Sequence, residues 1–261
     1  MIFCPLYSGS SGNSIFLASH SAKILIDAGL SGKSIEKALV KIGYNPNEID
    51  AILVTHEHID HIKGVGVLSR KYNIPIYANS LTWKAMIKCI GKIKENNIKI
   101  ISNNYINIKD MDITSYSISH DAVDPYGYAI NCGNKRACVA TDLGFISERT
   151  KSILKNSDVL LLESNHDVEM LKFGPYPYEL KRRILSKIGH LSNDDCGKAI
   201  LDILNGRFKR IILGHLSKTN NYPELAYQTV VTTLNEAGVK LNIDVNISMA
   251  KRDGPSNFIN F

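Results

Sequence analysis

The sequence predicts a four-layer αββα sandwich of the α+β/αβ class, in which two stacked sheets are covered on their outer faces by helices. Short apolar runs typical of strands alternate with segments of helical spacing in both halves of the chain, and a β-rich middle part separates the halves. Because strands that alternate with helices bury their sheet beneath those helices, this order predicts helices outside two packed sheets. The 261 residues, 44% of them hydrophobic, are enough for one domain over residues 1–261.

The N-terminal half contributes strands and helices in turn. Apolar runs predict strands at Ile2–Tyr7, Ser14–Ala18, Lys23–Asp27, Ile49–Val54 and Pro75–Ala78. Helical spacing predicts helices at Ser34–Ile42, Val65–Tyr72 and Ser80–Gly91, where Gly91 is a plausible stop.

The middle part reads as consecutive strands separated by Asn, Gly and Asp turns, at Ile98–Ile101, Tyr105–Ile108, Met111–Ser117, Tyr126–Asn131 and Arg136–Thr141. The C-terminal half predicts strands at Asp158–Glu163, Ile211–Leu213 and Leu241–Ser248. It predicts helices at Ser147–Asn156, Tyr178–Lys187, Ser192–Leu204 and Pro223–Ala237. Ser192 and Asp195 predict a capping box, and residues 102–104 and 251–261 are the linker candidates.

Composition indicates which class of partner the protein binds and in which cellular compartment it is expected. The net charge of +6 favours a polyanionic partner, and two basic clusters, Lys181–Arg183 with Lys187 and Arg207–Arg210, either bind phosphates or form solvated surfaces. No apolar run is long enough to cross a membrane, so we expect a cytoplasmic protein with no membrane partner. The five cysteines are odd in number and form no C-x-x-C pair, which indicates buried small hydrophobes rather than disulfides.

A group of metal-ligand residues follows the predicted strand Ile49–Val54. The six residues from His56 to His61 contain three of the eight histidines of the chain and two carboxylates. Residues two apart at a strand end point the same way, so His56 and His58 can bind one ion. Asp60 and His61 can then face a second ion. The alternative, a solvated His-rich loop, leaves this crowding unexplained.

This motif resembles a known family. Thr55-His-Glu-His-Ile-Asp-His61, followed by Lys63-Gly64, resembles the HxHxDH motif of the metallo-β-lactamase superfamily. Further matches follow the family order, at Tyr7–Ser14, Ile24–Gly29, Ser119–Tyr128, Thr141–Gly144, Glu163–Asp167, Gly189–Asn193 and Gly214–Ser217. The set most resembles the YycJ branch, also called WalJ or VicX, which is related to tRNase Z and RNase J. The resemblance implies the αββα fold, and the chain length leaves no room for a β-CASP insertion.

The resemblance also implies a ligand set for two divalent ions, Zn²⁺ or Mn²⁺, with Fe possible. One ion is expected at His56, His58 and His120, the second at Asp60, His61 and His215, and Asp142 is expected to bridge them. His166 competes with His215 for the last ligand position; family order favours His215, and we expect His166 to contact substrate instead. Asp27 is expected to support the metal loop. The turn Ser8–Ser14 is either an anion-binding nest or a tight hairpin.

The same resemblance suggests catalytic roles. Two ions generate a hydroxide nucleophile from water and neutralise charge on the phosphate, while Asp60 orients the water or takes its proton. Glu163 and His190 match the pair that assists the leaving group in tRNase Z-like enzymes. The alternative is that His190 contacts the substrate phosphate together with Ser192 and Asn193.

These observations predict a metal-dependent phosphodiesterase, and the YycJ resemblance implies a 5′-to-3′ exonuclease that acts on DNA. The alternatives are a tRNase Z-like endoribonuclease and a small-molecule metallohydrolase that cleaves a cyclic phosphodiester, lactone or thioester. A catalytically silent scaffold is disfavoured because every expected ligand position is filled. The sequence leaves the oligomeric state open between monomer and dimer.

Overall fold

Two seven-stranded sheets form the centre of the molecule in a computed structural model that describes residues 1–261. The strands are β1 Ile2–Tyr7, β2 Ser14–Ala18, β3 Lys23–Ile26, β4 Ala51–Leu53, β5 Ile76–Ala78, β6 Ile98–Ile100, β7 Tyr105–Ile108, β8 Met111–Ser117, β9 Tyr126–Cys132, β10 Lys135–Ala140, β11 Val159–Glu163, β12 Lys209–Gly214, β13 Val245–Met249 and β14 Ile259–Asn260. The first sheet has the order β14-β1-β2-β3-β4-β5-β6, and the second has the order β13-β12-β11-β10-β9-β8-β7.

Each sheet is antiparallel on one side and parallel on the other. In the first sheet β3, β4, β5 and β6 are parallel, with Ile52 opposite Ile76. In the second sheet β10, β11, β12 and β13 are parallel, with Glu163 opposite Gly214. The carboxyl ends of parallel strands lie at one edge of their sheet, which is where α/β proteins usually place a ligand site.

Nine α-helices cover the sheets. They are α1 Gly32–Lys41, α2 Ile59–Ile62, α3 Val65–Tyr72, α4 Ser80–Ile90, α5 Glu148–Leu154, α6 Val168–Phe173, α7 Tyr178–Ile184, α8 Asn193–Ile203 and α9 Pro223–Glu236. Ser192 caps α8, because its hydroxyl accepts from the backbone N–H of Asp195, but the predicted capping box is incomplete, since the Asp195 carboxylate accepts from the Ser192 hydroxyl and not from its backbone N–H. None of these helices combines the length and the hydrophobicity that crossing a bilayer requires.

Three buried clusters of apolar side chains separate the four layers. The central cluster lies between the sheets and includes Phe3, Leu53, Tyr128 and Leu161. A second cluster joins the first sheet to α1, α3 and α4, and a third joins the other sheet to α5, α8 and α9. The predicted αββα sandwich is confirmed, and no inserted domain interrupts it.

The structure corrects several predicted elements. The short helices α2 and α6 were not predicted. The last long strand begins at Val245 rather than Leu241, because Asn242 adopts a left-handed φ of 62° and Asp244 N–H donates to Lys240 in a turn. The tail is not a free linker, since β14 pairs with β1. The expectation that all cysteines are buried was wrong, because Cys89 is exposed and Cys132 is half-buried.

Candidate metal centre

The predicted ligand residues meet at one edge of the sandwich, where parallel strands of both sheets end. The HxHxDH segment follows β4 of the first sheet. Asp142, Glu163 and His215 lie at or just after the ends of β10, β11 and β12 of the second sheet. The site therefore spans both sheets, and each sheet contributes both imidazoles and carboxylates.

Three residues that follow strands at this edge, after β3, β10 and β12, share an unusual backbone conformation. Asp27, Asp142 and His215 adopt φ values of 59°, 59° and 54°, in the left-handed region that non-glycine residues rarely occupy. Such conformations cost about 1–3 kcal/mol each and persist where the surroundings require them. Their coincidence at one edge marks that edge as the functional one.

One donor group consists of three imidazoles. Nε2 of His56 lies 3.1 Å from Nδ1 of His58, and Nε2 of His120 lies 3.3 Å from the same Nδ1. Ligand atoms about 2.0–2.1 Å from a tetrahedral metal ion stand about 3.3 Å apart, the length of a tetrahedron edge. These spacings therefore fit three nitrogens that face one ion.

A second donor group combines a carboxylate with two imidazoles. Oδ2 of Asp60 lies 3.7 Å from Nε2 of His61 and 3.9 Å from Nε2 of His215, distances that are too long for hydrogen bonds. Nε2 of His215 is buried and has no hydrogen-bond partner. A buried polar atom without a partner is costly, and a cation between these three atoms would satisfy it.

Asp142 lies between the two donor groups. Its Oδ2 is 3.1 Å from Nε2 of His61, and its Oδ1 is 3.8 Å from Nε2 of His120. Although Oδ2 is close to His61, the atom is buried without a hydrogen bond. A carboxylate that offers one oxygen to each group has the geometry of a bridging ligand, so the residues present fit a pair of divalent ions.

Hydrogen bonds on the far side of the rings orient the imidazoles. Oδ2 of Asp27 accepts from Nδ1 of His61 at 2.8 Å, and Oε1 of Glu163 accepts from Nδ1 of His215 at 2.8 Å. Because Nδ1 donates to a carboxylate in both rings, Nε2 is the nitrogen that faces the site, and it can bind a metal ion once its own proton is displaced. The backbone N–H and hydroxyl of Thr55 also donate to Asp27, which places this carboxylate under the metal loop as predicted.

Glu163 organises two histidines at once. It is fully buried, and its Oε1 also accepts from Nδ1 of His190 at 2.8 Å, while Oε2 accepts from the Leu143 N–H. Glu163, His190, His215 and Asp142 lie close enough to form another donor group. Since the Nδ1 atoms of both histidines donate to Glu163, we assign Glu163 to orientation and not to a metal.

The charge distribution is that of anions and cations packed together. Burial opposes it, yet Asp142 and Asp27 raise the pKa of His61 well above its usual value. Burial also opposes the Asp142, Asp60 and Glu163 carboxylates, which nevertheless raise the pKa of His215 to about 10. His190 and His215 lower the pKa of Glu163 to about 2 against the effect of burial. Protonated imidazoles thus balance the negative charge of these carboxylates, and bound divalent cations would balance it in their place.

Two imidazoles of the first donor group, those of His56 and His120, differ in protonation from His61 and His215 of the second group. Burial, together with the neighbouring His61, lowers the pKa of His56 well below its usual value. Burial likewise lowers the pKa of His120. Both rings are therefore neutral near pH 7, which is the form that binds a metal ion.

The three predicted substrate-contact residues lie beneath the surface. His166 is 1% exposed, and neither ring nitrogen has a hydrogen-bond partner. Asn193 is fully buried, and its amide oxygen accepts from Ser164 and Asn221. Ser192 uses its hydroxyl to cap α8. A substrate contact by these side chains would need a local opening, and it stays a prediction.

Sequence reasoning missed several contacts of the site. Nδ2 of Asn13 lies 3.1 Å from Nε2 of His61 and 3.4 Å from the Asp60 carboxylate. Asn13 belongs to the Gly-rich turn, where Gly12 N–H donates to Gly9 O and Gly9 N–H donates to the Asn13 side chain. Those two amides are therefore used inside a tight hairpin. In the sequence, only the resemblance of Tyr7–Ser14 to a family motif could have linked this turn to the metal loop.

The surroundings of the site are uneven. His58, Asp60 and His190 are half-buried and form its open side, whereas His56, His61, Asp142 and His215 lie deeper. Arg183 of α7 pairs with Asp121, the neighbour of His120. A cavity of about 670 Å³ is lined by Ser8, Leu216 and Ser217 among others, and by none of the donor side chains.

Sequence and structure similarities relate the chain to known proteins. Residues 7–215 match the metallo-beta-lactamase superfamily. The chain is 47% identical over 245 residues to exodeoxyribonuclease WalJ of Streptococcus pneumoniae serotype 2, strain D39, with 93% of this chain and 91% of that protein covered. It is 45% identical over 237 residues to exodeoxyribonuclease YycJ of Bacillus anthracis, with 90% of each covered. The structure of the metallo-beta-lactamase fold protein YhfI of Bacillus subtilis has a TM-score of 0.71 at 16% identity and 98% coverage of both chains, a likeness of fold alone.

Proposed function

Because the chain belongs to the metallo-β-lactamase superfamily and to its YycJ branch, we propose that it is a two-metal phosphodiesterase that degrades DNA as a 5′-to-3′ exonuclease. The observation that carries the proposal is a pair of donor groups joined by Asp142, beside a histidine oriented by the buried Glu163. Relatives that cover most of the chain at 45–47% identity are named exodeoxyribonucleases, which supports DNA as the substrate.

The proposed cofactors are two divalent ions, zinc or manganese, with iron also compatible with nitrogen and carboxylate donors. One would bind His56, His58 and His120. The other would bind Asp60, His61 and His215. Asp142 would touch both. Bound ions at these positions supply a hydroxide nucleophile and neutralise negative charge on the phosphate.

For Asp60 the proposed role is to orient the attacking water. Its carboxylate is half-buried on the open side of the site, between the two imidazoles of the second donor group. Neighbouring histidines keep its pKa low although burial raises it, so the carboxylate is ionised near neutral pH. An ionised oxygen at this position can accept a hydrogen bond from the water and orient it toward phosphorus.

For His190 the proposed role is to protonate the leaving oxygen. Its Nδ1 donates to Glu163 at 2.8 Å, and the ring is half-buried at the mouth of the site. Burial lowers its pKa, but the carboxylates of Glu163 and Asp142 outweigh burial and raise it. A raised pKa favours the protonated ring, in which Nε2–H is the donor left for the departing O3′ or O5′ atom.

The test is cleavage of end-labelled single-stranded DNA, duplex DNA and a tRNA precursor by metal-stripped protein resupplied with Mn²⁺ or Zn²⁺. We expect stepwise release of mononucleotides from the 5′ end of DNA. Cleavage of the tRNA precursor alone would favour an endoribonuclease. Cleavage of only bis(p-nitrophenyl) phosphate or a thioester would favour a small-molecule hydrolase.

Two variants make the test specific to the proposed site. His58→Ala removes a half-buried donor, and we expect it to abolish cleavage without unfolding the chain. His20→Ala removes an exposed histidine from the turn between β2 and β3 and should leave cleavage unchanged. Full activity of His58→Ala would refute the two-metal assignment.

A further inference from the structure

Residues 168–188 carry exposed aromatic side chains that the fold does not need. This aromatic-basic segment comprises α6, the turn Gly174–Pro177 and α7 with its following residues, and it connects β11 to His190. Phe173 is 84% exposed and Tyr178 is 71% exposed, the highest values among the large hydrophobic side chains of the molecule. Exposed aromatic rings at one place on a surface commonly mark a binding site.

The C-terminal part of the segment forms a wall of the metal centre. The Ile184 carbonyl accepts from the His190 N–H at 3.0 Å, and the Ser119 hydroxyl donates to the Lys187 carbonyl at 2.8 Å. Arg183 forms an ion pair with Asp121, next to His120. The C-terminal end of the segment is therefore adjacent to the residues that would hold the scissile phosphate.

The segment is anchored to the rest of the protein despite its exposed rings. Leu171 and Ile184 anchor the two helices in the protein. Nζ of Lys181 donates to the Lys172 carbonyl at 2.8 Å, which ties α7 to the end of α6. Pro175 and Pro177 restrict the turn between the rings. Rings presented on such a frame lose little conformational entropy when a ligand stacks on them.

The charge of the segment selects an anionic ligand. It contains five basic residues, Lys172, Lys181, Arg182, Arg183 and Lys187, and two acidic residues, Glu169 and Glu179. The guanidinium of Arg182 lies 5.9 Å from the centre of the Tyr178 ring. Aromatic rings interleaved with cations are the usual surface for single-stranded nucleic acid, because bases stack while phosphates pair with cations. A second copy of the same positive surface would be repelled.

We propose that residues 168–188 are a platform for unpaired nucleotides of the substrate strand, with Phe173 and Tyr178 stacking on bases beside the scissile bond. The proposal rests on the proposed function in taking DNA as the ligand. Its consequence is specificity: a strand end is held single-stranded before cleavage, so single-stranded or overhanging ends are better substrates than blunt duplex ends.

The experiment measures the affinity of metal-stripped full-length protein for oligo(dT) by fluorescence anisotropy, and the KM for the same strand with the metal-loaded protein. Phe173→Ala and Tyr178→Ala should each weaken the affinity and raise the KM by about 5- to 100-fold, the loss expected for one base stack. Tyr178→Phe keeps the ring and should restore binding. Quenching of a 2-aminopurine base on binding should disappear in the alanine variants, a change that loss of charge alone would not produce.

Matched controls are Tyr105→Ala and Phe258→Ala, which remove exposed rings outside the segment and should bind oligo(dT) as the unaltered protein does. Thermal unfolding shows whether each variant is folded. If the unaltered protein cleaves DNA and both alanine variants bind it normally, the platform is refuted and the proposed function stands. If the alanine variants change only the elution volume on size-exclusion chromatography, the surface joins copies of the chain and the proposal is overturned. If the unaltered protein neither binds nor cleaves DNA, both proposals fail.

Discussion

Glu163 is the residue on which the acid–base chemistry of the site depends. One carboxylate oxygen accepts from both His190 and His215, so a single buried anion orients a candidate acid and a candidate ligand. Burial of an anion is costly unless it is fully hydrogen-bonded, and Glu163 accepts from two rings and from the Leu143 N–H. The pair Glu163 and His190 was predicted from motif order, whereas the bond to His215 needed the fold.

If His190 is the general acid, its loss should matter in proportion to the basicity of the leaving group. We expect His190→Ala to slow DNA cleavage by about 10²- to 10⁴-fold. The same variant should slow hydrolysis of bis(p-nitrophenyl) phosphate by less than about tenfold, because p-nitrophenolate leaves without a proton. Steady-state kinetics on both substrates measure this. An equal loss on both would assign His190 to binding or positioning.

The pH dependence of cleavage should follow the same residue. Glu163 and Asp142 raise the pKa of His190 above its usual value in spite of burial, so DNA cleavage should fall only as the pH rises through that raised pKa. Glu163→Gln removes the carboxylate, and the alkaline fall in rate should move to lower pH. A pH–rate profile that Glu163→Gln leaves in place would contradict the assignment.

His166 should make the protein sensitive to mild acid. Burial lowers its pKa to about 4, whereas the unfolded chain protonates near the usual value of about 6.5. Since the unfolded state binds the proton first, the contribution of His166 to stability is lost as the pH falls from about 6.5 to about 4. When the pH is lowered from about 7.5 to about 5, the free energy of unfolding of His166→Gln should therefore fall by about 2 kcal/mol less than that of the unaltered protein. Urea unfolding of metal-free protein measures the difference, and His20→Gln, at an exposed position, is the control for the replacement of a histidine by glutamine.

At the scale of elements, the connection from β3 to α1 positions the metal loop. Ala28 N–H donates to His61 O, Gly64 N–H donates to Ala28 O, and Gly29 N–H donates to Asn13 O. A Cβ on Gly29 would lie 1.6 Å from the Asp60 carbonyl oxygen, so the loop must move if any side chain is added. The backbone of one element thus sets the position of ligands on another.

We expect Gly29→Ala to lower both stability and activity. Overpacking against backbone should cost about 1–3 kcal/mol or more, and displacement of Asp60 should reduce cleavage at least tenfold, about 1.4 kcal/mol in barrier. Gly32→Ala is the matched control, because its added Cβ meets no backbone atom, only the side chains of Val67 at 2.9 Å and Leu68 at 3.8 Å. Thermal unfolding and kinetics on both variants measure the effects. Equal behaviour of the two would contradict the role of this connection.

The basic helix α7 should contribute mainly through phosphates. Replacing Lys181, Arg182 and Arg183 together by alanine should weaken DNA binding and reduce the slope of log K against log salt by up to about 2, roughly 0.7 for each lost contact to a single strand. Hydrolysis of a small diester should change less than DNA cleavage. Binding titrations over a salt series measure the slope, and an unchanged slope would mean that these side chains are solvated surface.

Elements with strong periodicity were predictable, and those set by tertiary contacts were not. The strands Ile2–Tyr7 and Met111–Ser117 were predicted to the residue, because a continuous apolar run marks the first, alternation marks the second, and turn residues bound both. Helix α6 was missed, since its six residues have too few turns to show a period. β14 was missed because two residues form a strand only when β1 is beside them. For the site, motifs predicted which residues meet, but Asn13 reaches the metal loop from the turn between β1 and β2, and Arg183 reaches Asp121 from α7.

At the scale of the whole molecule, bound ions would connect the two sheets. His56, His58, Asp60 and His61 follow a strand of the first sheet, while His120, Asp142 and His215 follow strands of the second. Ligands that bind only the folded state stabilise it by mass action. Stability of this sandwich should therefore depend on the concentration of metal.

Removal of metal with a chelator should lower the melting temperature. At a free metal concentration of about 100 times Kd, binding stabilises by about 2.7 kcal/mol, which corresponds to roughly 5–10 °C for a chain of this size. Calorimetry of stripped and Zn²⁺- or Mn²⁺-resupplied protein measures the shift. His58→Ala should lose most of it and His20→Ala none of it. A melting temperature that ignores metal would refute the donor groups.

The two sheets are also almost separate along the chain. Residues 2–100 form six strands of the first sheet, residues 105–249 form the second, and only residues 101–104 and 250–258 pass between them. A chain divided at Ser102–Asn104 would yield two fragments, each with an incomplete ligand set. The later fragment would still supply β14 to the sheet of the earlier one. Enzymatic activity would then report fragment complementation, because neither piece can assemble the centre by itself.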